Sequence, residues 1–575
     1  MFLVSFTAIL YGAVAARAHY PYSPGINHVS PAQWSALNAS VSGKLHGGIP
    51  LARPCFTLAN TAGSADPAKC AAIREGYSNS RFLVEQFGAY MNVQWGSCQK
   101  TTQTCVLKGF NITDPSPSNP PNVCQQGSVS PYYIDVRDAS DVQKALAFSK
   151  RTGVPLVVKN TGHDYEGRSS APGSLALWTH NLQSLSYNVS FVPAGCPASR
   201  AKPGVTMGAG SIADNVVAFA EANNVTVVAG AERSVGASGG WLMGGGHGAL
   251  ANTLGLGVDR VLEFKIVTPT GQFLTANECQ NSDLFWALRG GGGGTFGVVM
   301  ESTSLASPKM TLQVAFAHFS RNNTNATRGF YKVVAENSVR WAEQGFGGYI
   351  ESFQALYVTP KLNSTEAAAT MQPLFDYVKA LAPNDPGVQI LNLEVPSYGT
   401  FYQTFIANSG APVGENAVVA SRLIPAANFA SAENRTALVD ALMQTLAHVT
   451  FGLTLIATTP YNVPDDGSTS VTQAWRTAVW HAIAEGGWDG AVPLDEEKSA
   501  YSGISAAADF LRAITPDGAY QNEADVNEPN HEVSFWGSNY PRLLQIKKKY
   551  DPENVLSCWH CVGYNPRSPR FSCYI

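Results

Sequence analysis

The sequence predicts an α+β protein of two cooperating lobes, and three observations carry that prediction. Residues 127–305 alternate short strand-like and helix-like patterns, beginning with a strand–helix–strand unit near 132–158. This stretch is broken by glycine clusters at 160–170, 236–248 and 290–297. From 306 the clusters thin, and longer helical patterns alternate with strands up to about 520. At 575 residues the chain exceeds what one ordinary core can organise.

Residues 1–18 read as a secretion signal. Phe2 to Ala16 is apolar, and Ala16-Arg17-Ala18 places small residues at the −1 and −3 positions of a cleavage site, although a basic n-region is missing. Residues 19–126, rich in Pro, Ser, Asn and Cys, read as an irregular extension. Tyr132 to Val136 is a strand. Asp138 to Thr152 is a helix with Val142, Ala145 and Leu146 on one face and Gly153 as its stop. Val154 to Val158 is the next strand, Val205 to Met207 another, and Ser211 is read as the cap of a helix carrying Ile212, Val216 and Phe219. A strand at Val225 to Val228 follows. Val261 to Val267, a Pro269-Thr270-Gly271 turn and Gln272 to Thr275 read as a hairpin. Ser282 to Leu288 is a short helix and Phe296 to Glu301 a strand. The second lobe takes 306–530, with a helix at Thr436 to Thr450. The segment 531–575 carries a basic helix at Arg542 to Lys549, then an Asp551-Pro552-Glu553-Asn554 turn.

Composition narrows the function classes. Only 14% of residues are charged and the formal net charge is −4, so nothing favours nucleic acid or a membrane surface as partner. Eight Asn-X-Ser/Thr sequons, at Asn38, Asn111, Asn188, Asn224, Asn322, Asn325, Asn363 and Asn434, would let glycans wet this charge-poor surface. The even count of ten cysteines suits an oxidising compartment. Cys98 and Cys105 are close enough in sequence to pair as a loop staple. Cys558-Trp559-His560-Cys561 has no second ligand pair at zinc spacing, so it reads as a structural disulfide, and no metal site is expected.

Glycine clusters let backbone N–H groups close on phosphates. A Rossmann reading needs Gly-X-Gly-X-X-Gly at the first strand–helix turn of a βαβ unit, and no cluster has it. Gly236-Ala237-Ser238-Gly239-Gly240 fits the nucleophile elbow of a hydrolase. The helix that must follow is interrupted by Gly244 to Gly246, at about 1 kcal/mol per glycine.

The string Asn160-Thr161-Gly162-His163-Asp164-Tyr165-Glu166-Gly167-Arg168-Ser169-Ser170 resembles the flavin-attachment loop of FAD-linked oxidases on the vanillyl-alcohol oxidase/p-cresol methylhydroxylase plan. More narrowly it is similar to the secreted fungal members of their berberine-bridge-enzyme-like branch. Leu242-Met243-Gly244-Gly245-Gly246-His247-Gly248, Asp283 to Gly292, and Trp536 to Tyr540 with Tyr550-Asp551-Pro552 match the same family in the same order. The resemblance implies a two-lobed PCMH-type FAD-binding domain at 127–305 and an α/β substrate domain at 306–530 whose antiparallel sheet roofs the flavin. The extension 19–126 and the segment 531–575 would pack on the FAD domain.

It further implies that His163 bonds covalently to the 8α-methyl of FAD. Gly162, Asp164, Gly167, Arg168, Ser169 and Ser170 would surround the diphosphate and ring edge. Gly239, Gly240, Gly245, His247 and Asn539 would complete the cofactor site. Many relatives carry a second link through a cysteine; Glu232 stands there, so a single link is expected. Val235 occupies the position that gates oxygen, which implies an oxidase using dioxygen. Tyr520, in a Tyr-x-Asn segment, is expected as the catalytic residue, provided positive charge lowers its ordinary pKa of about 10. Trp475, Arg476 and His481 are candidates for the pocket wall. The expected substrate is a small organic molecule, oxidised or oxidatively cyclised, and the expected protein a secreted monomer. An inert flavin-binding glycoprotein is the alternative outside enzymes.

Overall fold

A computed structural model describes residues 26–407 and 412–575, so the signal expected at 1–18 lies outside the described residues. The helix expected from Asp138 runs Ala139–Thr152. Asp138 caps it by accepting from the amides of Ser140 and Asp141, and Gly153 ends it with φ of 73°. Its apolar face packs Val142, Ala145, Leu146 and Phe148 against Ile134, Leu156, Leu175 and Leu177. These last belong to a four-stranded sheet ordered Leu45–Gly47, Tyr132–Asp135, Leu175–Trp178, Leu156–Lys159, whose last three strands are parallel.

A second, five-stranded antiparallel sheet follows, ordered Phe273–Asn277, Val261–Val267, Val298–Leu305, Lys202–Gly208, Leu185–Phe191. It contains the expected hairpin, with Val267 opposite Phe273. The short helix Ser282–Leu288 buries Leu284 to Leu288 beneath it.

The second lobe is one seven-stranded antiparallel sheet, ordered Gln389–Val395, Leu312–His318, Gln354–Thr359, Gly347–Ile350, Gly452–Ile456, Ala478–Trp488, Asn416–Pro425. Helices Thr324–Glu343, Ser364–Leu381, Ala432–His448 and Leu494–Arg512 cover one face. Alternation along Ala478–Trp488 sets the two sides. Trp480 and Ala482 join the core under the helices, while Ile483 and Glu485 line a cavity on the other face.

Four expectations are corrected. The stretch 19–126 is ordered where described: helix Pro31–Ser40 buries Trp34 and Leu37, and Leu45–Gly47 is an edge strand of the first sheet. Cys98 does not pair with Cys105. Cys98 joins Cys573, 475 residues away, whose carbonyl also accepts from the Lys100 amide, and Cys105 joins Cys124, 19 residues on; only the fold brings the first pair close. Ser211 does not cap its helix, which starts later, at Ala213, with Ile212 as the cap residue. The strand expected at Val225 to Val228 is only Val225–Thr226, because its partner segment is just Ser307–Pro308.

The disulfide expected at Cys558–Cys561 is present, as are Cys55–Cys70 and Cys196–Cys279. The helix Tyr540–Tyr550 returns to the first lobe, where the Tyr550 hydroxyl donates to Asp283 at 2.9 Å. Among the described residues no helix is long and apolar enough to cross a membrane.

Candidate active site

The first glycine loop leaves the sheet at Lys159 and braces itself through Asp164. That carboxylate accepts from the Glu166 amide at 3.0 Å, the Ser169 amide at 2.7 Å and the Ser169 hydroxyl at 2.6 Å. The C-terminus closes the loop from outside: the Tyr574 hydroxyl lies 2.8 and 2.7 Å from the carbonyls of Glu166 and Gly167. Gly167 has φ of +69°, and a Cβ there would sit 2.4 Å from the Trp95 ring, so this turn admits no side chain.

The second and third clusters face one another. A Cβ on Gly293 would reach within 2.9 Å of the Gly240 Cα, whereas one on Gly240 would project into open space. Gln521 and Trp536 both donate to the Gly290 carbonyl, at 2.6 and 2.9 Å. The C-terminal part of the chain therefore locks the third cluster. Gly245, with φ of +139°, ends the helix within the second cluster after only Gly240–Gly244. This is no scaffold for a nucleophile elbow.

The three loops and the open face of the seven-stranded sheet enclose one cavity of about 1170 Å³. Of the residues expected at the cofactor, Gly162, His163, Asp164, Arg168, Ser169, Val235, Gly239, Gly240 and His247 line it, and so does Tyr520. Gly167, Ser170, Gly245 and Asn539 do not; the Asn539 amide instead donates to the Val471 carbonyl at 2.9 Å. Trp475, Arg476 and His481 stand behind the wall. Trp475 packs edge-on against Tyr520, and Arg476 forms a two-pronged pair with Asp259 at 2.9 and 2.7 Å.

Electrostatics separates the candidate bases. Burial raises the Tyr520 pKa, the Glu523 carboxylate raises it further, and Arg168 opposes them more weakly. The lowering expected at Tyr520 is therefore not found. Its hydroxyl accepts from the Asn522 amide at 2.7 Å. Glu485, on the roof, is pushed up by burial to about 7. It lies near the His163 loop: the carboxylates of Glu485, Glu523, Glu232 and Glu415 all act on the Tyr165 hydroxyl. Sequence reading missed Glu485. Its signal was the alternation His481, Ile483, Glu485 along a strand, which shows a shared face but not what that face meets.

Several buried polar atoms lining this cavity lack protein partners among the described residues: Arg168 Nη2, Asn160 Oδ1, Ser557 Oγ and both oxygens of Glu166. Burial pushes Glu166 up to about 8. Orphaned buried groups cost about 1–3 kcal/mol each, and this many in one cavity fit a large polar ligand. With glycine backbones facing each other across the floor and one guanidinium N–H free, the lining suits a dinucleotide with a diphosphate.

A family model described as FAD binding domain matches residues 130–277, and one described as berberine and berberine like matches residues 519–560. The chain is 38% identical to the FAD-linked oxidoreductase ffsJ of Aspergillus flavipes over 92% of each chain. The chain belongs to the berberine-bridge-enzyme-like branch of the vanillyl-alcohol oxidase/p-cresol methylhydroxylase superfamily. This berberine-bridge-like protein is thus an FAD-linked oxidoreductase. It is 30% identical to the bifunctional decalin synthase calF of Penicillium decumbens, over 93% of this chain and 91% of that one. Its fold superposes on the VAO-type flavoprotein MtVAO615 of Myceliophthora thermophila with a TM-score of 0.80 at 27% identity, covering 93% and 95% of the two chains.

Proposed function

We propose that this berberine-bridge-like oxidoreductase holds FAD through one covalent bond at His163 and removes hydride from a small organic substrate, with dioxygen as the final acceptor. The observation that carries this reading is a single cavity walled on one side by the His163 loop and roofed on the other by Glu485. FAD supplies the hydride acceptor; the chain orients substrate and moves the proton. Arg168 and the facing glycines hold the diphosphate.

Glu485 takes the substrate O–H, N–H or phenolic proton, since a carboxyl near 7 is half ionised at neutral pH. Tyr520 stays protonated and serves as an aromatic wall and hydrogen-bonding partner rather than as the base. Val235 lines the cavity, which supports the reading that this position admits dioxygen. The five disulfides and seven solvent-exposed sequon asparagines support a secreted glycoprotein; Asn38 is half-buried.

Oxidative cyclisation is the second reading. The calF relative, named a decalin synthase, favours it, with hydride removal followed by ring closure within the same cavity.

The test is anaerobic mixing with alcohols, sugars, amines and phenols while the oxidised flavin absorbance is followed. Bleaching, then rapid recovery with peroxide on admitting air, is expected. Reduced protein that air fails to reoxidise would overturn the oxidase reading, and colourless fully folded protein would overturn the cofactor assignment.

A further inference from the structure

The cavity wall beside His163 holds a carboxylate whose partners do not belong to substrate chemistry. Glu232 Oε2 lies 2.9 Å from His163 Nε2. The same oxygen accepts from the Ser234 amide at 2.7 Å and the Ser234 hydroxyl at 2.8 Å. Ser234 Oγ itself is 2.7 Å from His163 Nε2. One histidine nitrogen is thus gripped by two oxygens, one of them anionic.

The tautomer follows from charge. A carboxylate can only accept, so a 2.9 Å approach to Nε2 is attractive only when Nε2 carries hydrogen. The Ser234 hydroxyl spends its hydrogen on Glu232 and accepts from the same Nε2–H. Nδ1 then keeps its lone pair, and it has no hydrogen-bond partner among the described residues, although the residue lines the cavity. An imidazole fixed this way is a nucleophile at one defined nitrogen.

We infer that Glu232 is the positioning residue for covalent flavin attachment: it fixes the His163 tautomer and stabilises the cation that forms when Nδ1 is alkylated. This rests on the attachment at His163 proposed above. In the step, a bond forms between Nδ1 and the 8α carbon of the flavin while one 8α C–H bond breaks. That hydrogen leaves as a proton, and the two electrons stay on the ring system until dioxygen takes them and departs as hydrogen peroxide. His163 becomes an N-alkyl imidazolium still bearing Nε2–H, and it returns to neutrality by losing that proton. Glu232 meets this transient charge at hydrogen-bond distance, as a preorganised anion in a site shielded from water. Its carboxyl is ionised over the whole neutral range, because the His163 imidazole and hydrogen bonds from Ser80 and Ser234 overcome the penalty of burial and hold it down to about 2.

The test uses full-length protein made in riboflavin-starved cells and incubated with FAD in air. Covalent flavin is followed as fluorescence retained on acid-treated denaturing gels, and total bound flavin by absorbance of the native protein. Glu232→Gln should bind FAD with unchanged stoichiometry yet attach it at least tenfold more slowly. Glu232→Ala should be slower still and accelerated by added formate, a response that a purely structural role would not give. Ser234→Ala, which keeps both partners, should slow attachment less. Glu232→Gln and Ser234→Ala both attaching at the wild-type rate would overturn the inference, as would a formate-insensitive Glu232→Ala that binds FAD normally. His163→Ala separates the two claims: flavin still retained by that variant on the gel means that His163 is not the attachment point, and then the parent reading fails.

Discussion

His481 Nε2 donates to the Glu523 carboxylate at 2.8 Å, joining the roof strand Ala478–Trp488 to the segment that carries Tyr520. His247 Nε2 approaches the same oxygen at 3.2 Å, and the Thr458 hydroxyl holds its Nδ1 at 2.9 Å. One carboxylate thus ties the second glycine loop, the roof and the Tyr520 segment together.

That relationship predicts a pH-dependent contribution to stability. Burial opposes ionisation of Glu523, but the His247 imidazole and the hydrogen bonds from both histidines prevail, holding its pKa well below the usual 4.5. A depressed carboxyl stabilises the fold above its unfolded pKa, and that stabilisation disappears as pH falls through the folded one. Glu523→Gln should therefore cost about 2–3 kcal/mol at pH 7, the worth of charge-assisted hydrogen bonds. Denaturant melts should show the gap between variant and parent narrowing below about pH 4.5; a gap independent of pH contradicts the argument.

Glu485 acts in the opposite direction on stability. Its folded pKa of about 7 lies above the ordinary 4.5. A raised carboxyl contributes fully below 4.5 and loses that contribution as pH rises to 7, so ionising it destabilises the fold. Glu485→Gln should be more stable than the parent at pH 8 by about 3–4 kcal/mol, from 1.4 kcal/mol per pKa unit over the rise from 4.5 to about 7. Flavin reduction should slow by about 10²–10⁴-fold in this variant. In the parent, reduction should accelerate as pH rises through about 7, the limb that Glu485→Gln removes. Stopped-flow bleaching across pH checks both.

His163→Ala should bind flavin that comes free on acid precipitation, while the parent protein stays yellow in the pellet. Mass analysis of the peptide around residue 163 should show the flavin's added mass in the parent alone.

The Cys98–Cys573 bond closes 475 residues and holds the C-terminal cap over the His163 loop. Trp559 stacks on Tyr574 at 3.9 Å, and Tyr574 braces the carbonyls of Glu166 and Gly167. Cys573→Ser should lower stability by about 2–5 kcal/mol. Proteolysis should cut near 565–570 first, and flavin attachment should slow, because the loop carrying His163 loses its outer support. Unchanged attachment would show that Asp164 alone suffices to brace it.

Local signals were legible where they act over a few residues. Asp138 and Gly153 bound a helix through capping and a left-handed turn, and the Val261–Val267 hairpin follows from alternation and its Pro-Thr-Gly turn. The string Asn160 to Ser170 likewise places His163, Asp164 and Arg168 together, since they share one loop. Cys98 was misread because its partner is 475 residues away, and pairing depends on distance in space. Asn539 sits in a recognisable string, but its side chain turns to the Val471 carbonyl, which only packing dictates.

The sequence by itself determined that two α+β lobes exist, that glycines crowd three loops, and that one histidine lies in a loop fit for a flavin. Those features rest on short-range backbone preferences and on strings of adjacent residues. Tertiary structure alone decided which carboxyls count. Glu485 and Tyr520 are both raised above their ordinary values because burial and neighbouring charge set each pKa. Glu232 grips His163 because a fold places residues 69 positions apart within 2.9 Å. Ionisation and hydrogen bonding depend on what surrounds a group, and that is settled only when distant segments meet.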